Sequence, residues 1–231
     1  MRRFYKTAEV TVAANGFAIA LDGKPVRTPL GASLALPTAA LAEAVAAEWL
    51  AQGETIRPDS MILTAIANTA IDRVGMQRAA IEAELLRFAE TDTLCYRADD
   101  PPDLVQRQHA AWQPLLDWAQ AQFGAAFVHT RGVVPVTQSA DALAALARAL
   151  GGYDKHRLAA VATAVPALGS LVLGLALIEG RLVAAEAFAL AQLEESYQNE
   201  RWGEDDEAVA RRARLRADVE AAERVIGLLA A

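Results

Sequence analysis

Glu9-Val-Thr-Val-Ala-Ala-Asn-Gly-Phe-Ala-Ile-Ala-Leu-Asp-Gly-Lys-Pro-Val-Arg-Thr28 decides how the chain begins. Val10 and Val12 fall on one face of an extended segment, and Phe17, Ile19 and Leu21 on one face of the next. Asn15-Gly16 and Asp22-Gly23 supply the positive φ of tight hairpins. The pattern predicts an antiparallel meander over about 8–13, 17–21 and 24–28, ended by Pro29, with Leu34-Ala35-Leu36 as a short edge strand. Thr38 is the expected N-cap of a helix from Ala39 to Gln52, stopped by Gly53. Leu41, Val45, Glu48 and Trp49 share one side of that helix, which covers the sheet, with Trp49 as its core anchor.

Downstream the period changes to that of helices. Leu63, Ile66, Ala67, Ala70, Ile71 and Val74 make one i, i+3, i+4 stripe, and Ile81, Leu85 and Phe88 another. Pro101-Pro102 starts a helix carrying Val105, Trp112, Leu116 and Phe123, with a kink expected at Pro114 and His109 at the core edge. Val128, Val133, Val134 and Val136, with Gly132 and Pro135, form a β-like interruption, read as a hairpin or extended loop. Ser139 caps a helix ending at Gly151-Gly152. A last helix runs from about 204 to 229 with Val209, Leu215, Val219, Ala222, Ile226 and Leu229 inside, and Arg211, Arg212, Arg214 and Arg216 on a solvated face.

The fold class is therefore α+β: a small N-terminal antiparallel sheet with its covering helix over 1–75, then a larger all-α orthogonal bundle over 76–231. Residues 158–178 carry no charge and have the length of a membrane span. The Pro166-x-x-Gly169-Ser170 break and the missing aromatic belt instead predict two short buried helices, with no stable membrane insertion.

A net charge of −7 and a pI near 5.1 leave no basic field for a phosphate backbone, so nucleic acid is not an expected partner. Cys95, the only cysteine, sits between Leu94 and Tyr96 and reads as a buried, inert thiol; disulfides and multi-thiolate metal sites are excluded within one chain. The three histidines are far apart, so neither a metal nor a cofactor is expected. Gly169 and Gly174 have the spacing of a phosphate-binding loop, but Leu175 stands where its lysine belongs. Thr91-Asp92-Thr93 is most economically a turn or helix cap.

Residues 182–202 read as one helix stopped by Gly203, with Val183, Ala187, Leu190, Leu193 and Tyr197 on one stripe and Glu186 and Glu194 on the same stripe. An acid on an apolar face needs a partner, or the face is open and something docks there.

Several stretches together resemble a known family: Arg3-Phe4-Tyr5-Lys6, Leu21 to Pro29, Leu36-Pro37-Thr38, Ala47-Glu48-Trp49, Thr91 to Arg97, and Leu193-Glu194-Glu195-Ser196-Tyr197-Gln198 with Trp202-Gly203. In this order they resemble the assembly chaperones of ATP synthase that bind the α subunit of its soluble catalytic sector. The resemblance implies a small α+β domain followed by a helical bundle, and a chaperone rather than an enzyme. It also implies the unassembled α subunit as partner, shielded at the surface that later meets β. Mitochondrial members carry a targeting segment that this sequence lacks, so the expectation is a bacterial, cytoplasmic relative. Glu194, Glu195, Tyr197, Gln198 and Trp202 are the expected partner-binding residues. The alternative is a small-molecule enzyme with a carboxylate site assembled from distant residues.

Overall fold

In a computed structural model of the chain, which describes residues 1–132 and 134–231, two compact units emerge. The first comprises Met1–Arg78, Asp154–Ala160 and Ala221–Ala231; the second comprises Ala79–Tyr153 and Val161–Glu220.

The first unit is built on β1 (Ala8–Ala13), β2 (Gly16–Leu21), β3 (Lys24–Pro25) and β4 (Ala35–Leu36). β2 is central. It pairs antiparallel with β1 through Val10↔Ile19, and with both β3 and β4 along its other edge. Asp22 and Gly23 both take positive φ, +46° and +77°, as the tight turn requires. The Asp22 carboxylate accepts the amides of Lys6 and Thr7, at 3.0 and 2.8 Å, and this holds the N-terminal segment against the hairpin. Gly16 is needed for a different reason: a Cβ there would lie 2.2 Å from the Leu36 carbonyl oxygen, and its φ is +120°. The third strand is shorter than the alternation predicts. Regular pairing ends at Pro25, although the Val26 amide still donates to the Ile19 carbonyl at 2.8 Å. Ala18, Ile19, Ala20 and Leu21 are all buried, so β2 is covered on both faces, whereas Val12 is 87% exposed, so the face of β1 that it shares with Val10 is open at that end.

α1 (Ala39–Leu50) packs on β1 and β2 through Leu41, Ala42, Val45 and Ala46. Thr38 caps it as expected: its hydroxyl accepts the Leu41 amide at 3.2 Å and donates to the Leu228 carbonyl at 2.7 Å. Glu48 caps α2 (Ile62–Asn68), accepting the amides of Leu63 and Thr64, both at 2.8 Å, and the Thr64 hydroxyl at 2.7 Å. A π-helical stretch, Thr69–Val74, follows. It carries buried Asp72, whose carboxylate takes the Thr28 hydroxyl at 2.6 Å and the Leu30 amide at 3.0 Å. α3 (Gly75–Glu90) continues from it with a kink at Gln77.

In the second unit, a short 3₁₀ turn (Thr93–Cys95) leads to β5 (Tyr96–Arg97) and then α4 (Pro102–Phe123). α4 continues through Pro114 and ends at Gly124, which takes the left-handed conformation. Its buried side is Leu104, Gln108, Trp112, Leu115, Leu116 and Ala119; His109 is exposed, not at the core edge, because the line of burial passes through Gln108. The valine-rich interruption is no hairpin among the described residues: β6 (Thr130–Arg131) pairs in parallel with β5. Val133, counted in that interruption, lies outside the described residues.

α5 (Ala140–Gly151) is capped by Ser139, as expected. The uncharged run is divided into α6 (Lys155–Leu168) and α7 (Leu171–Ile178) at Gly169, which takes φ +63°. No helix among the described residues is long and apolar enough to cross a membrane. Every residue of α7 is buried, and its six large aliphatic side chains contribute roughly 1.5–3 kcal/mol each by leaving water. Asp92, fully buried, holds this helix. Its carboxylate accepts the Leu94 amide at 3.1 Å and the Val172 amide at 3.1 Å. The Thr93 hydroxyl donates to the Gly169 carbonyl at 2.8 Å. Thr91-Asp92-Thr93 is thus a cap, as predicted: Asp92 is the N-cap of the 3₁₀ turn that follows it and also takes a first-turn amide of α7, whose own N-cap is Ser170. Cys95 is buried too, and burial pushes its thiol up to about 12, which fits an inert role.

The helix read from 182 to 202 is two: α8 (Ala184–Ala191) and α9 (Leu193–Trp202), separated at Gln192 with φ −98° and ψ 15°. The cause is Trp112, whose indole N–H donates to the Leu190 carbonyl at 3.0 Å. It takes the acceptor that an unbroken helix would give to the amide four residues on. The single stripe therefore does not exist. Val183 is 52% exposed, and Glu186 lies outside the core, its carboxylate accepting the Val183 amide at 3.3 Å. α10 (Asp206–Leu229) follows Gly203. Its buried residues are Val219, Ala222 and Val225, while Val209, expected inside, is 47% exposed.

Candidate functional site: the surface around α9

α9 begins with Glu194 and Glu195 in its first turn, where carboxylates meet the positive end of the helix dipole. The break at Gln192 turns Glu194 out into solvent. One of its oxygens accepts a hydrogen bond from Gln108 Nε2 at 3.2 Å, and Gln108, wholly buried on α4, uses its Oε1 to accept the Ala98 amide at 2.7 Å. A single amide side chain thus ties α9 to α4 and to the segment after β5.

Tyr197, one turn along, is buried. Its hydroxyl donates to Asp103 Oδ1 at 2.7 Å, and Arg201 Nη2 donates to Asp103 Oδ2 at 2.9 Å. The Arg201 guanidinium lies 3.5 Å from the centre of the Tyr197 ring, and that of Arg107 lies 5.2 Å from it. The Tyr197 hydroxyl, followed by Arg201, holds the Asp103 carboxyl below the usual carboxylate range. Arg107 also pairs with Glu200 at 3.1 Å. These contacts fix the pitch of α9 against the first turns of α4.

Between them lies a cavity of about 370 Å³. Tyr96, Pro101 and Leu104 give it an apolar floor; Asp99, Asp100 and Glu194 place three exposed carboxylates around it; Gln198 and Trp202 complete the wall. The Trp202 side chain ends α9 and is 77% exposed. Four of the five nominated residues, Glu194, Tyr197, Gln198 and Trp202, border this one cavity. Glu195 does not: both its oxygens take Arg211 Nη2, at 2.8 and 3.0 Å. The sequence reading did not name Asp99 or Asp100, and named Pro101 only as the start of a helix. Their signal was the Asp-Asp-Pro-Pro run directly after the Thr91–Arg97 motif.

A second recess, of about 410 Å³, lies in the first unit beside Phe4, Pro25, Val26 and Trp49. Trp49 meets Tyr5 edge-on at 5.7 Å and its backbone carbonyl accepts the Tyr5 hydroxyl at 2.8 Å; its side chain is half-buried on the wall of this recess, not a core residue as expected. Among the described residues no cluster of His, Cys, Asp and Glu is grouped to hold a metal ion. The α9 surface offers carboxylates around an apolar recess and a projecting indole, a set suited to recognising another molecule.

Residues 2–120 match the model of the ATP12 chaperone protein family. The chain is 25% identical over 219 residues to the mitochondrial protein atp12 of Schizosaccharomyces pombe, covering 90% of this chain and 75% of that one. It superposes on the crystal structure of Atp12 from Paracoccus denitrificans with a TM-score of 0.91 at 42% identity, over 99% of this chain and 98% of the other. An aspartate-to-lysine mutant of the Paracoccus protein gives the same TM-score and identity over 97% of its chain. The Atu1473 protein of Agrobacterium tumefaciens matches with a TM-score of 0.93 at 44% identity, over 99% of this chain and 86% of that one. With the fold and more than half the chain matched, the protein belongs to the ATP12 chaperone family.

Proposed function

We propose that the protein is an assembly chaperone of ATP synthase that binds the unassembled α subunit and shields the surface destined for the β subunit, in the cytoplasm of a bacterium. Membership of the chaperone family supports the class of activity. The observation that carries the site is the cavity beside α9, where Trp202 is 77% exposed among the carboxylates of Asp99, Asp100 and Glu194.

The physical logic is mass action. An orphan subunit exposes apolar interface that self-associates. A partner that covers the patch lowers the concentration of the sticky species, and yields when the proper subunit competes. A large exposed indole supplies contact area at low conformational cost, and a rim of carboxylates disfavours non-specific collapse onto it. The competing reading, a small-molecule enzyme, finds little support in the acid with the most altered proton affinity. Asp92 is sealed in the core with its oxygens accepting backbone amides.

The test is direct. Isolated α subunit, diluted from denaturant with the purified protein, is expected to stay soluble and to co-purify with it, and to be released on addition of β. Equal aggregation with and without the protein would overturn the proposal.

A further inference from the structure

Among the described residues two aromatic side chains are exposed, Phe4 and Trp202. They stand in surroundings of opposite charge. Phe4 edges the recess of about 410 Å³ in the first unit. Its ring meets Tyr5 edge-on at 5.3 Å, and Tyr5 meets Trp49 in the same way, so three rings in contact line the recess with Pro25 and Val26. Lys24 and Arg27 lie on the same wall, both exposed. Neither pairs with a carboxylate among the described residues. Arg27 uses Nη1 on the Gly31 carbonyl at 2.7 Å and keeps its other donors. Asp22, the one acid of the lining, is answered within the hairpin. It accepts the Lys6 amide, the Thr7 amide and the Thr7 hydroxyl, and the Lys6 ammonium also acts on it. The recess is therefore aromatic and net positive in a chain of net charge −7.

The second unit carries the complement. Trp202 ends α9, Gly203 takes φ +83°, and Glu204, Asp205, Asp206 and Glu207 follow, all exposed. Glu204 pairs with Arg212 at 2.8 Å, and Asp205 caps the Ala208 amide at 2.8 Å. Asp206 and Glu207, in the first turn of α10, form no ion pair among the described residues. An exposed indole followed by free acids matches an aromatic recess edged by free cations. The recess is lined by the first unit alone, so Trp202 of the same chain does not fill it.

We propose that the recess of one copy receives Trp202 of a second copy, with Asp206 and Glu207 of that copy facing Lys24 and Arg27. The contact is head-to-tail. A dimer then retains one open recess and one free indole, and association continues past it. One indole and its flanking acids bury less than the roughly 1,200 Å² of a standard interface, so the contact is weak, with a Kd on the order of 10–100 µM. It covers Trp202 until a tighter ligand competes. That the competitor is a client subunit rests on the chaperone reading; the self-association does not.

Sedimentation velocity of the full chain tests the contact with no client present. Between about 5 and 500 µM the parent's sedimentation coefficient is expected to rise with concentration, and to rise less at high salt, where the charges are screened. Phe4→Ser and Trp202→Ala alter exposed side chains, and each alone should weaken the association at least tenfold. An equal mixture of the two should associate again, because one variant keeps the indole and the other keeps the recess, and it should stop at the dimer. Lys24→Glu with Arg27→Glu should weaken the association about tenfold. A parent that stays monomeric across the range, variants that associate as the parent does, or a mixture that recovers nothing overturns the contact. No arm uses α subunit, so failure here leaves the chaperone reading standing, and failure of the parent to capture α subunit leaves the self-association standing.

Discussion

The carboxylate of Asp92 accepts the amide of Val172 at 3.1 Å across 80 residues of sequence. Burial is the main influence on this acid and pushes it up to about 6, against hydrogen bonds from Ser170, Val172 and Leu94 that favour the charged form. Between the unfolded value of 3.8 and about 6 the folded chain binds the proton more tightly than the unfolded chain. Stability from this group is therefore greatest below pH 4, falls as pH rises through that window by roughly 3 kcal/mol, and is level above it. Asp92→Asn should flatten this part of the pH profile in urea titrations. It should also cost about 1–3 kcal/mol at low pH, because an amide nitrogen cannot accept the second backbone N–H. An unchanged slope between pH 4 and 6 would assign the titration elsewhere.

Glu48 takes three donors from the first turn of α2. Glu48→Ala should cost about 1–2 kcal/mol, with amide exchange accelerating first at Leu63 and Thr64. Because Glu48 lies in the first unit and not on the α9 surface, α-subunit capture at a temperature where the variant is folded should be unaffected.

Gly174 faces Val165: a Cβ there would lie 2.4 Å from Val165 Cγ2. Gly174→Ala should destabilise the chain by about 1–3 kcal/mol through overpacking, and Val165→Ala in the same chain should recover part of the loss. Recovery in the double variant, read by calorimetry, separates a local clash from a general helix effect.

Trp202→Ala and Glu194→Lys alter exposed side chains. Trp202→Ala should leave the melting temperature within about 2 °C of the parent; Glu194→Lys removes the acceptor of the buried Gln108 amide and should lower it by about 2–8 °C, so capture is compared where the variant is folded. Both should reduce capture of the α subunit, tenfold or more for Trp202 if it anchors the contact. Tyr197→Phe should instead lower stability, because it strips the Asp103 carboxylate of its hydroxyl donor. Normal capture by both surface variants would move the binding face away from α9.

What could be read in the sequence was what is decided locally. Asp22-Gly23 declares a turn because both residues must take positive φ; Thr38 and Ser139 declare helix starts because their hydroxyls reach amides three residues on. The break at Gln192 was hidden because its cause, the Trp112 indole, donates to a carbonyl 78 residues along the chain, that of Leu190. A helical wheel drawn across residues 182–202 then put Glu186 and Ala187, on α8, in one stripe with Glu194 and Tyr197, on α9. The parallel pairing of β5 with β6 was hidden likewise, since two residues per strand carry no alternation. The α9 cavity was half legible: the residues on one helix could be named, but those from the Asp99–Leu104 segment enter only through tertiary folding.

The hydroxyl of Thr38 rests on the carbonyl of Leu228, and residues 221–231 belong to the same unit as the opening sheet. A ribosome that has made three quarters of this chain has therefore not yet delivered the piece that closes its earliest part. Until residue 228 emerges, the nascent protein carries an unfinished flank of the kind it is proposed to mask in others, and its own maturation waits on the delivery of residues 221–231.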